Sequence, residues 1–220
     1  MLYTPGSNAK VLAKAAASAA DVLIFDLEDA VAPAAKQAAR ATVRDALGRR
    51  DWGAKEVVVR VNGLDTPWCK ADVAAMADAG AAALLFPKIA GAADVARARA
   101  LMCACGVPAS TPLWAMIETP LAILNAHGIA QAAQQEGARM ELWVMGTNDL
   151  VKELRASHTA AREPLLMALS TALLAARAYG LAILDGVHND IQDADGFVQA
   201  CEQGLALGFD GKTLIHPSQI

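Results

Sequence analysis

The chain of 220 residues predicts a single-domain α/β protein, a (β/α)8 TIM barrel spanning residues 1–220. Three observations predict it. Short apolar runs alternate with alanine-rich helical stretches from end to end, the runs number eight, and polar residues gather where the runs end. Each run is nearly continuous in hydrophobicity, as a strand covered on both faces must be. A barrel of this kind carries its chemistry at the carboxyl ends of its strands. An open doubly wound sheet is the competing architecture, but its phosphate-binding fingerprint, G-x-G-x-x-G after the first strand, is absent.

The runs are Leu2–Thr4, Val22–Leu27, Glu56–Val61, Ala83–Pro87, Leu113–Ile117, Leu142–Met145, Leu181–Leu184 and Lys212–His216. Successive ends lie roughly 20 to 36 residues apart, room for a strand and a covering helix. Pro33 is placed to open a helix at its first turn, and so is Pro120 behind a Thr119 cap. Gly137 and Gly180 stand where helices should stop. The last run leads only to His216-Pro217-Ser218-Gln219-Ile220, so the eighth helix is expected to be absent or trimmed.

Composition narrows the function. Hydrophobic residues make up 55%, enough for a large core, and the formal net charge is -4. Nucleic-acid binding is not expected, because it calls for a basic face. Mean hydropathy is +0.31, yet no membrane span is read. The uncharged stretch from Ala100 to Ile117 is broken by Gly106, Pro108 and Pro112, and that from Thr119 to Gln135 by Asn125, His127 and glutamines. MLYTPGS has no charged segment before an apolar core, so no signal peptide is read. Cys69, Cys103, Cys105 and Cys201 lack a zinc spacing and read as reduced thiols of a cytoplasmic protein.

The strand ends carry Asp26-Leu27-Glu28-Asp29, Arg60-Val61-Asn62, Pro87-Lys88, Glu118-Thr119, Gly146-Thr147-Asn148-Asp149, Asp185-Gly186 and His216-Pro217. A charge ending an apolar strand is costly unless paired or used. One such charge reads as an ion pair; a ring of them reads as a site. The strand period lets Asp26 with Glu28, and Arg60 with Asn62, face the axis. Glu118 shares a face with Trp114 and Met116, which read as barrel core. Adjacent strands bring Glu118 and Asp149 within reach of one ion, and two carboxylates plus waters suit Mg2+ first and Mn2+ next. The blander reading of that pair is a carboxylate on strand-end amides beside a helix cap. Lys88 reads as a counter-charge to the acidic rim and His216 as a structural cap. Asp185 reads as a rim residue that orients Arg60 or a water.

Taken in order, Asp26-Leu27-Glu28-Asp29-Ala30-Val31 with Lys36 and Arg40, Arg60-Val61-Asn62, Pro87-Lys88, Glu118-Thr119, Gly146-x-Asn148-Asp149, Asp185-Gly186-Val187 and Gly211-Lys212-x-x-Ile215-His216-Pro217-x-Gln219 resemble the citrate lyase beta-subunit-like proteins of the aldolase/citrate lyase (HpcH/HpaI) superfamily. The resemblance implies a magnesium-dependent TIM barrel, a homotrimer or hexamer. It implies carbon–carbon cleavage of a 3-hydroxy acyl thioester of citramalyl, malyl or citryl type, carried on coenzyme A or an acyl carrier, into a 2-oxo acid and a short acyl thioester. It makes Glu118 and Asp149 the metal ligands and Arg60 the substrate-binding arginine. It leaves the base open among Asp29, Glu28 and a water held by the acidic run. Asn62, Thr147 and Asn148 are further candidates for substrate contact. Lys36 and Arg40, one helical turn apart, either meet the coenzyme's phosphates or form an exposed cationic face. Departures stand at both ends: the family's first strand usually begins with arginine, and most members continue past His-Pro-x-Gln into a helical lid. The rival readings are a coenzyme-free, metal-dependent 2-oxo acid aldolase, which tends to carry histidine in the place of Asp29, and a non-catalytic citrate lyase-like subunit.

Overall fold

The computed structural model describes residues 1–220. Its strands are β1 (Leu2–Pro5), β2 (Val22–Asp26), β3 (Glu56–Arg60), β4 (Ala83–Phe86), β5 (Leu113–Ile117), β6 (Met140–Met145), β7 (Ala182–Asp185) and β8 (Gly211–Lys212). The helices are α1 (Ala9–Ala15), α2 (Lys36–Arg49), α3 (Cys69–Met76), α4 (Ala92–Ala104), α5 (Pro120–Leu124), α6 (Ala126–Ala132), α7 (Thr147–Leu154), α8 (Leu166–Ala178) and α9 (Ala194–Leu207). The strands form one curled sheet in the order β1 to β8, every pair parallel. Its two edges meet at a parallel bridge between Leu2 and Leu214. There the Tyr3 amide donates to the Leu214 carbonyl at 2.9 Å and the Leu214 amide to the Met1 carbonyl at 2.8 Å.

The eight strands fall where the apolar runs lie, with boundary differences that have local causes. The last run was expected to be a strand from Lys212 to His216, but the ladder ends at Lys212 and touches β1 once more at Leu214. The Gln219 side chain accepts from the amides of Ile215 and His216, and Pro217 has no amide to offer. A 3-10 turn, Pro217–Gln219, follows, capped by His216, which accepts from the Ser218 amide. Pro33 opens a 3-10 turn, Pro33–Ala35, and α2 starts three residues later than its position suggested. Thr119 caps α5 as expected, accepting from the Ala122 amide at 3.0 Å.

Strand parity divides the core in two. Val22, Ile24, Val58, Ala83, Leu85, Trp114, Met116, Leu142, Val144 and Leu184 form a cluster of 10 buried residues inside the curl. The alternate residues, among them Leu23, Phe25, Val59, Leu84, Phe86, Trp143 and Ile183, join the helices in a cluster of 51. Alanines such as Ala39, Ala98, Ala130, Ala172 and Ala176 are fully buried in that outer layer, where a small side chain lets a helix approach the sheet closely. The inward parity continues upward. Asp26 follows Val22 and Ile24, Arg60 follows Val58, and Glu118 follows Trp114 and Met116. The charges therefore sit on the apolar plug at the carboxyl ends of the strands. No helix is long and apolar enough to cross a membrane.

Candidate active site

A cavity of about 340 Å³ opens over those charges, lined by Tyr3, Asp26, Asp29, Arg60, Glu118 and the Gly146–Asp149 turn, among others. Arg60 lies at its floor. Asp26 and Arg60 are register partners on β2 and β3, so the guanidinium forks onto the carboxylate, Nε to Oδ1 at 2.7 Å and Nη2 to Oδ2 at 2.6 Å. Its remaining nitrogen, Nη1, reaches Glu28 at 3.0 Å and Asp29 at 3.7 Å. The ring of Tyr3 packs 4.8 Å from the guanidinium carbon, a cation–π contact. Asp26 also accepts from the amides of Glu28 and Ala30. Burial pushes its carboxyl up, but Arg60 and the two amides outweigh that and hold it below the usual carboxylate range.

Glu118 behaves in the opposite way. It is 3% exposed, and burial first, then the charge of Glu28, pushes its carboxyl up to about 8. Glu28 is raised to about 7, by burial first; Arg60 opposes the shift, and Asp29 and Asp26 reinforce it. Two features of the backbone seat Glu118. Lys88, at the end of β4, adopts a left-handed conformation with φ 56 and turns its amide onto Glu118 Oε1 at 2.7 Å. Gly146 lies against the other oxygen: a Cβ there would stand 2.3 Å from Oε2. Only glycine allows that approach.

Asp149 lies in the first turn of α7, 25% exposed, with the Lys88 ammonium 3.3 Å away. The ammonium is partly desolvated, which alone would lower it; Asp149 outweighs this and raises it. Thr147 lines the cavity, and its buried hydroxyl has no hydrogen-bond partner. Asn148 is tied to Asn189 by two reciprocal amide bonds of 2.9 and 2.8 Å.

Three candidates do not reach the cavity. The Lys36 ammonium donates to the carbonyls of Leu27 and Glu28 at 2.8 and 2.7 Å, under the ring of Trp68. Arg40 is bound to buried Asp72 at 2.6 Å. Asn62 is held by the same carboxylate and by the Leu27 carbonyl. The expectation that Lys36 and Arg40 present a cationic face, or reach a phosphate, is therefore corrected. A buried ammonium must find acceptors, and these were carbonyls of the loop after β2. Lys36 and Asn62 clamp that loop beside Glu28, and Arg40 holds the Asp72 carboxylate that fixes Asn62. Asp185 is also corrected. It does not touch Arg60; it accepts from Arg162 at 2.7 Å and Lys212 at 2.8 Å.

The sequence does not single out Tyr3, Asp72 or Arg162, and it marks Gly146 only as part of the Gly146–Asp149 motif, without its role in seating Glu118. Gly146 had a legible signal, a glycine opening the turn that bears Asp149. Arg162 had none, since it lies in a loop 23 residues from its partner.

The cavity thus brings together two carboxylates, Glu118 after β5 and Asp149 in the first turn of α7, but no cluster of three or more His, Cys, Asp or Glu side chains able to enclose a metal. The chain is 49% identical to a (3S)-malyl-CoA thioesterase of Cereibacter sphaeroides over 220 residues, all of this chain and 73% of that protein. It is similar to a solved citrate lyase beta subunit from Mycobacterium tuberculosis complexed with oxaloacetate and magnesium. The identity there is 35%, the TM-score 0.83, and all of this chain and 92% of that one are covered. It is likewise similar to protein CitE from Mycobacterium tuberculosis in complex with magnesium, acetoacetate and coenzyme A, with 36% identity and a TM-score of 0.82 over all of this chain and 76% of that one. The HpcH/HpaI aldolase/citrate lyase profile matches residues 1–217, and with that match along nearly its whole length the chain belongs to this family.

Proposed function

We propose that the curled sheet is a closed (β/α)8 barrel and that the chain is a magnesium-dependent carbon–carbon lyase acting on a malyl-type coenzyme A thioester. One observation carries the reading. Five carboxylates, Asp26, Glu28, Asp29, Glu118 and Asp149, crowd a site with only two cations, Arg60 and Lys88. A divalent cation would relieve that excess, and hard carboxylate oxygens suit Mg2+. Two protein ligands match an ion that keeps several waters and takes further oxygens from its substrate. Glu118 and Asp149 would hold it, Glu118 seated by the Lys88 amide and by Gly146. When bound, the ion supplies Lewis acidity at the substrate's hydroxyl and adjacent carboxylate oxygens.

The residues of the chain do the rest. Arg60 has two nitrogens committed to Asp26, so only Nη1 is left to donate to a substrate oxygen, in exchange for Glu28. Glu28, poised near neutrality, or the more exposed Asp29 takes the hydroxyl proton. The bond between the carbinol carbon and the carbon next to the thioester breaks, and its electron pair passes into the thioester enolate. Protonation of that carbon releases the acyl thioester beside a 2-oxo acid. The unpartnered Thr147 hydroxyl is available to the substrate carboxylate. A homotrimer belongs to the same reading, because Leu124, Met167, Leu174 and Leu205 stand 75–83% exposed.

A second reading, hydrolysis of the thioester, is favoured by the thioesterase name of the 49% identical relative. Malyl-CoA incubated with and without Mg2+ separates the two. Glyoxylate with acetyl-CoA supports the lyase; malate with free coenzyme A supports the hydrolase. Cleavage of free 2-oxo acids alone supports the coenzyme-free aldolase. No turnover of malyl-, citramalyl- or citryl-CoA in the presence of Mg2+ would sink the thioester reading.

A further inference from the structure

Lys88 joins both proposed ligands. Its amide fixes Glu118 at 2.7 Å, and its ammonium stands 3.3 Å from Asp149. The two contacts run through one residue in a left-handed conformation, φ 56, which a non-glycine residue adopts at a cost and keeps only where its surroundings enforce it. The other cation near the carboxylates, Arg60, gives two nitrogens to Asp26 and turns the third to Glu28 and Asp29, not to Asp149. Lys88 is about half exposed and can leave Asp149 without unpacking any core.

We propose that Lys88 is a built-in counter-cation. Its ammonium neutralises Asp149 in the metal-free protein and competes with the divalent cation for that carboxylate, while its amide keeps Glu118 in place. The inference rests on the reading of Glu118 and Asp149 as the cation's ligands. It assigns Lys88 a positioning role through its backbone and a competing role through its side chain. Metal entry then exchanges one cation for another at Asp149, so the carboxylate is never left without a counter-charge. The released ammonium faces the rim, where an anionic substrate would arrive.

The test is calorimetric Mg2+ titration of the native chain, Lys88→Met, Lys88→Arg and Asp149→Asn. An exposed ion pair is weak, so removing the competitor should tighten Mg2+ binding by roughly two- to fivefold in Lys88→Met, with Lys88→Arg close to native. Lys88→Gly keeps the amide and suits the positive φ, and should show the same tightening, so the test stands even where Lys88→Met folds poorly. Labelling by an amine-reactive reagent, read at Lys88 by mass spectrometry, should rise when Mg2+ saturates the native chain. Equal or weaker Mg2+ affinity in both Lys88→Met and Lys88→Gly, or Lys88 labelling unmoved by Mg2+, overturns the competition. If in that case Asp149→Asn still abolishes binding, the ligand assignment survives. If neither the native chain nor the Lys88 variants bind Mg2+, both readings fall.

Discussion

Two arcs of the same rim use buried carboxylates to opposite ends. On the β7–β8 side, Asp185 is 1% exposed and meets Arg162, Lys212 and the Gly186 amide. Arg162 is itself braced by Gln203 at 2.6 Å. Two cations serve one carboxylate, so the charge of Asp185 is met within the chain, and the group left over is a nitrogen, the buried Nη2 of Arg162. On the β2–β6 side, five carboxylates share Arg60 and Lys88. Glu118 there has an amide but no cation, and its carboxyl rises to about 8. A carboxylate at a strand end is therefore not a site by itself. The local count of charges decides, because an unmatched buried charge is costly and draws in a proton or a metal.

The sharpest break of this contrast is Glu118→Gln. It keeps the shape and removes the charge, so Mg2+ affinity should fall by more than about 100-fold, since even an outer-shell partner is worth roughly 10- to 100-fold. The fold should survive, because the carboxyl is already largely neutral near pH 7 in the metal-free chain. Unchanged Mg2+ affinity by calorimetry would remove Glu118 from the site. Asp185→Asn should do the reverse. It strands two cations, with a stability loss of about 3–5 kcal/mol, and leaves Mg2+ affinity of the folded fraction unaltered. Denaturant titration showing no loss would mean that the pairing of Asp185 with Arg162 and Lys212 does not hold the β7–β8 arc together.

The smallest effect is on pH. Glu118 and Glu28 bind protons more tightly in the folded chain than their ordinary value of 4.5. Between about pH 4.5 and 8 the folded chain therefore holds more protons than the unfolded one, so the stability of the metal-free protein falls as pH rises. Asp26 has the opposite sign, and its contribution is lost only in acid. Melting of the metal-free chain should drop by several degrees between pH 5 and 8, at roughly 2–4 °C per kcal/mol. Saturating Mg2+ should restore it, and Glu118→Gln should flatten the profile. A profile as steep in Glu118→Gln as in the native chain would assign the effect elsewhere.

The order of residues along the chain determined much of this. Eight continuous apolar runs announced eight parallel strands, because burial on both faces leaves no room for polar alternation. Parity along each run announced which charges face inward: Asp26, Arg60 and Glu118 continue the sequences of Ile24, Val58 and Met116. Tertiary structure decided how those charges pair. Lys36, Arg40 and Asn62 carried the right chemistry for a ligand but found Leu27, Glu28 and Asp72 instead. Asp185 found Arg162 from a loop that no periodicity marks. The physical reason is range. Strand and helix patterns are set by neighbours a few residues away, whereas a side-chain charge is satisfied by whatever the fold brings within about 3 Å. Here the partner lies 34 residues away along the chain for Arg60 and Asp26, and Lys88 meets Asp149 from the other side of β5 and β6.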